Sequence, residues 1–124
     1  MNCFVGDEFD EPDRGTYGSL NRIRRPPLSE LFVFIDVHED SLAGIDFIAV
    51  PHKDYGMVVE LPSSRHLRAG PLTFADGHGV IRRWRDARTC RKVTGEHTSV
   101  GNAGRTDNNP DILWLYRHAT CRSP

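Results

Sequence analysis

Residues 71–84 read PLTFADGHGVIRRW, an Asp-Gly pair set between two runs rich in aromatic and β-branched side chains. No other feature constrains the fold as strongly. Asp-Gly favours a two-residue hairpin turn, because both central residues take positive φ there and Gly does so freely. The pattern predicts strands Pro71–Ala75 and His78–Trp84 around Asp76-Gly77. In that register Ala75 faces His78, Phe74 faces Gly79, and Leu72 faces Ile81, with Gly79 leaving room for the Phe74 ring. Two strands alone are marginal in water. The rest of the chain must add strands and a cover.

Leu31–Val37 (LFVFIDV) is the strongest additional strand, a continuous apolar run of the kind found where both faces are covered. Phe47–Val50 and Met57–Leu61 read as two shorter strands joined by the polar turn Pro51–Gly56. All five strands are expected in one antiparallel sheet. Asn109-Pro110 opens a short helix over 110–119, since Asn caps and Pro suits the first helical position. Ile112, Leu115 and Tyr116 share a face that would dock on the sheet. The expectation is one α+β domain over 1–124. It has a loop-rich segment at 1–30, with a helical turn near Ser19–Ile23, and the sheet at 31–84. An irregular loop at 85–109 and the C-terminal helix complete it.

The length of 124 residues suits one domain, and an apolar fraction of 38% implies a small core. No run of about eighteen apolar residues marks a membrane span, and no signal-peptide pattern opens the chain. As given, the sequence reads as cytoplasmic or non-exported, without membrane contact. The net charge of −1 argues against a protein that coats nucleic acid. The charge is split, however. Residues 1–60 carry twelve acidic and five basic side chains, and residues 61–124 carry five and eleven. This asymmetry suits packing of one half on the other, or a polar surface facing a partner. Cys3, Cys90 and Cys121 include no C-x-x-C pair, which leaves three free thiols or a Cys90–Cys121 bridge in an oxidising compartment.

Two polar clusters stand at predicted strand ends. One is Asp36, His38, Glu39 and Asp40; the other is His66, Asp76 and His78. If they converge, Asp36, His38, His66, Asp76 and His78 offer imidazole and carboxylate ligands to zinc, manganese or iron(II). The simpler reading has Asp76 serving the turn and His66 pinning the preceding loop. Asp40-Ser41, Ser63-Ser64 near His66, and Glu96, His97 and Ser99 supply hydrolase residue types, but no G-x-S-x-G elbow accompanies them. Arg82, Arg83, Arg85, Arg88, Arg91 and Lys92 surround Trp84. They read as an anion or nucleic-acid patch, or as a solvated strand end that balances the acidic half. The second reading is preferred, and no nucleic-acid partner is expected.

Five segments resemble, in order, the prepilin-type processing-associated family marked by His, nine residues, then Asp-Gly. They are MNCFVG at 1–6, FVFIDVHEDS at 32–41, LPSSRH at 61–66, LTFADGHGVIRRWRDART at 72–89 and NNPDILWLYRHAT at 108–120. His66, Asp76 and Gly77 carry the signature. The resemblance implies the globular head of a pseudopilin-like type II secretion protein, located in the periplasm or at the cell surface. Its partners would be other pseudopilin or secretion-system subunits, and no catalytic activity or required cofactor is implied. Major pseudopilins bind calcium, which keeps calcium open beside zinc as a divalent ligand. The family's leader and apolar stalk helix have no counterpart in the matched segments, so the chain is expected to be the head alone.

Overall fold

The computed structural model describes residues 2, 19, 21, 23, 25–42, 49–51, 56–58, 60–97 and 108–119. In chain order the elements are β1 (Phe32–Ile35), β2 (Ala49–Pro51), β3 (Gly56–Val58), β4 (Ala69–Phe74), β5 (Gly79–Arg83) and α1 (Pro110–Ala119). The architecture is a small α+β fold, as the pattern predicts: an antiparallel sheet with one C-terminal helix.

The sheet differs from expectation in membership. β1, β4 and β5 form a three-stranded sheet with β4 central, while β2 and β3 pair separately. On the β1 side other segments meet the edge of the sheet. Both sides of β4 are taken, and the outer side of β1 is met by Asn2, whose backbone N–H donates to the Val33 carbonyl at 2.8 Å. β1 also ends early. Ser63 donates to the Asp36 carbonyl at 2.7 Å, and Val37 bridges Pro62. The expected strand Met57–Leu61 divides: β3 stops at Val58, and the Leu61 carbonyl turns to accept from His38 N at 2.8 Å.

The hairpin register is off by one residue from the sequence expectation. Thr73 faces Gly79, Leu72 faces Val80, and Pro71 faces Ile81. Gly77 N donates to the Phe74 carbonyl and Phe74 N donates to the His78 carbonyl, each at 2.9 Å. The loop is therefore the three residues Ala75, Asp76 and Gly77, with only Gly77 at positive φ (+92°). This is a type I turn followed by a left-handed glycine, which Asp-Gly serves as well as it serves the two-residue turn. The correction places His78, not Gly79, beside Phe74, and their rings stack at 4.4 Å.

One face of the sheet is the core. Phe32, Ile35, Leu72, Phe74 and Trp84 pack with Ile112, Leu115 and Ala119 of α1. Burial of each large apolar side chain contributes about 1.5–3 kcal/mol. The helix starts where the sequence predicts, because Asn109 Oδ1 accepts from Asp111 N at 2.9 Å and from Ile112 N at 3.3 Å. Buried Asp111 accepts from Arg85 N and Asp86 N, fastening the exit of β5 to the first turn of α1. Asn2 is fully buried, and its side-chain amide donates to the carbonyls of Phe32 and Ala119, both at 2.8 Å.

Among the described residues, no helix is long and apolar enough to cross a membrane. Cys90 is a half-buried free thiol. Cys3, Cys121, Ser99, Phe47, the rest of 98–107, residues 20 and 22 of the turn expected at 19–23 and residues 52–55 of the turn expected at 51–56 lie outside the described residues.

Candidate functional site

The two ends of the His66–Asp76 motif do not meet. His66 is exposed, and its backbone N–H donates to the Ala69 carbonyl at 3.2 Å, closing a tight loop in which Leu67 and Arg68 take left-handed φ. Asp76 lies in the hairpin loop at the other end of six-residue β4, a separation of roughly 17–20 Å. Its Oδ1 accepts from His78 N at 3.1 Å and pairs with His78 Nδ1. The His78 backbone N–H, then its ring, hold the Asp76 carboxyl below the usual carboxylate range. The motif thus brackets a strand: His66 shapes its entry and Asp76-Gly77 its exit. Gly77→Ala isolates the turn, since an added Cβ meets nothing within 4 Å but the φ of +92° disfavours it. The expected cost is about 1–2 kcal/mol in urea unfolding, with no change in the fold by circular dichroism.

The first cluster is also internally satisfied. A single guanidinium, Arg65, pairs with both Asp36 and Glu39. His38 is buried: its Nδ1 accepts from Asp40 N at 3.2 Å and its Nε2 donates to the Arg91 carbonyl at 3.1 Å. Those partners select the Nε2–H tautomer and leave no lone pair open for a ligand. Asp40 Oδ2 accepts from Thr94 N at 2.6 Å and Thr94 Oγ1 at 2.9 Å, and Oδ1 from Gly95 N at 3.0 Å. The Thr94 backbone N–H, ahead of the other contacts, holds this carboxyl below its ordinary range. The cluster latches the loop at 91–97 onto the end of β1. Sequence reading missed Arg65 and Thr94 as its partners because both lie far along the chain.

The five residues considered for a metal therefore stay in three places: Asp36 and His38 after β1, His66 before β4, and Asp76 with His78 at the hairpin loop. The described residues contain no group of three or more His, Cys, Asp or Glu able to hold an ion. Among the hydrolase residue types, Ser41 Oγ donates to the His38 carbonyl and accepts from Leu61 N. Ser63 Oγ is buried without a partner, and Ser64 Oγ reaches the Arg91 carbonyl. No serine hydroxyl is paired with an imidazole among the described residues.

The arginines gather differently from the linear pattern. Arg88 closes on Asp86, with Nε to Oδ1 at 2.9 Å and Nη2 to Oδ2 at 2.7 Å. Arg82 lies 3.6 Å over the centre of the Trp114 ring and 5.9 Å from that of Trp84. His118 stacks on Trp114 at 3.8 Å. A groove between β5 and α1 results. One opening, about 470 Å³, includes Arg82, Arg83, Arg85, Trp114, His118 and Glu30. A second, about 400 Å³, is lined by Arg82, Arg85, Pro110, Leu113, Trp114 and Arg117. The helix contribution was legible in principle, since Trp114, Arg117 and His118 sit at i, i+3, i+4.

Burial, partly offset by the Trp114 carbonyl, pushes the His118 imidazole below its ordinary value of 6.5. The unfolded chain then takes up this proton at higher pH than the folded one. Stability is full above about 6.5 and declines as pH falls below it. Asp40, Asp76 and Asp86, all held below the usual carboxylate range, extend the loss as pH falls through about 4. Urea midpoints at pH 7.5, 5.5 and 4.0 should fall in that order, and His118→Gln should remove the first decrement alone. Comparison with protein-family models, curated proteins and solved structures found no match.

Proposed function

We propose that this chain is the head of a pseudopilin-like subunit of a secretion or surface-fibre assembly, working through protein–protein contact at the periplasmic or cell-surface side. The observation that carries the reading is the His66, nine-residue, Asp76-Gly77 spacing set within five segments in the family's order. The geometry supports it in two ways. His66, Asp76 and Gly77 are spent on shaping a hairpin, so the motif needs no reaction to explain it. The sheet face turned away from α1 also carries Phe34, 57% exposed, and Ile81, 69% exposed, which suits contact with a neighbouring subunit.

The reading requires no cofactor and no catalytic residue. Its test is the reading frame upstream of Met1. A leader followed by an apolar helix of about twenty residues, cleaved by a prepilin peptidase on co-expression, is the expected result. An intact upstream region encoding neither counts against it.

A further inference from the structure

We propose that the groove between β5 and α1 is a binding site for a small phosphate-bearing ligand. The inference does not rest on the pseudopilin reading. Its basis is that Arg82 and Arg85 line both openings, joined by Arg117 of α1 at the smaller and by Arg83 at the rim of the larger. Two arginines outside the groove are neutralised locally, Arg65 by Asp36 and Glu39, and Arg88 by Asp86. Among the described residues, none of the four groove arginines forms an ion pair with a carboxylate. Glu30 borders only the larger opening, and the smaller has no carboxylate in its lining. Among the described residues, Asp111 is the one carboxylate whose charge acts on Arg82, and its oxygens accept the backbone N–H groups of Arg85 and Asp86, so a single buried carboxylate faces several guanidinium groups. Like charges so gathered repel one another until an anion joins them.

The stacking fixes what kind of anion fits. Trp114 has two faces. The Arg82 guanidinium at 3.6 Å takes one, so the His118 ring at 3.8 Å takes the other. A nucleobase therefore has no open face of Trp114 on which to stack, and the groove grips charge without reading a base. Stacking holds the guanidinium plane of Arg82, which lines both openings and whose buried Nε has no partner among the described residues. A guanidinium fork suits phosphate oxygens. A multiply charged phosphate matches several guanidinium groups better than a monocarboxylate does. Openings of 400–470 Å³ fit a small molecule.

Titration of the whole chain with inorganic pyrophosphate at low ionic strength, read by tryptophan fluorescence and calorimetry, tests the site. The expected result is saturable binding of one pyrophosphate per chain with Kd below about 1 mM. Arg117→Gln and Arg82→Met should each weaken it by about tenfold or more, the scale of one hydrogen bond to a charged group. Arg65→Gln, with the same charge change outside the groove, should bind as the parent does. Arg117 is exposed, so its variant decides the matter should Arg82→Met fail to fold. Absence of saturation overturns the proposal, as does an equal loss in Arg65→Gln, which would mean diffuse charge. A mixed-sequence single-stranded oligonucleotide that displaces pyrophosphate at lower concentration would overturn the small-ligand assignment.

Discussion

Trp84→Ala is expected to cost about 3–5 kcal/mol of folding free energy, which is most of the stability of a small domain. Trp84 is 1% exposed and is the largest fully buried side chain. Its ring packs with Leu72, Ile112 and Leu115 in the main core cluster, so no other large side chain is free to fill the void. The indole also has a polar task. Nε1 donates to the Ser63 carbonyl at 2.8 Å, holding the segment that leads into β4. Trp84→Phe keeps most of the ring but strands that buried carbonyl, for an expected loss of about 1–3 kcal/mol. Urea unfolding of both variants separates packing from hydrogen bonding. Equal losses would mean that the Ser63 bond contributes everything and the ring volume nothing.

The second large effect comes from the smallest change. Gly70→Ala is expected to cost about 3 kcal/mol, the upper end for overpacking. Gly70 is not at positive φ, and at such a position alanine ordinarily stabilises by about 0.4–1 kcal/mol through the unfolded chain. Here the sign reverses, because an added Cβ falls well inside the van der Waals contact distance of the Ser63 carbonyl oxygen and also approaches Trp84 Cζ2 at 3.5 Å. Ser63 has nowhere to go. Its N–H is tied to the Asp36 carbonyl at 2.7 Å and its oxygen to the Trp84 indole. The two predictions are therefore coupled. In a Trp84→Phe background Ser63 is held from one side only, and Gly70→Ala should cost measurably less. A double-mutant cycle reads that difference, and simple additivity would count against the clash.

Much of the fold was legible because its signals are local. The Asn109 cap, Pro110 and the spacing of Ile112 and Leu115 mark α1 within a few residues. Asp76-Gly77 marks the hairpin. Its register was not legible, because the same dipeptide suits both a two-residue and a three-residue loop, and a one-residue difference changes every cross-strand partner. That Asn2 meets the edge of β1, and that β2 and β3 pair apart from the main sheet, are long-range arrangements invisible to pattern reading. At the candidate sites, the residue types were visible and their partners were not. His38 looked like a ligand until the Arg91 carbonyl, 53 positions away, took its Nε2. Arg88 looked like part of the anion patch, whereas its neighbour Asp86 takes it and Arg117 replaces it in the groove.

The Asn2 side chain bonds to Ala119 across 117 positions of sequence, which has a kinetic meaning. Closing so long a loop carries a large entropic cost that grows only slowly with length, so shorter loops such as the β4–β5 hairpin close first. The tie should form on the native side of the folding barrier. Asn2→Ala should then accelerate unfolding while leaving the refolding limb of the chevron nearly unchanged. One buried amide would thus govern how long the native state persists, and hardly at all how fast it is reached.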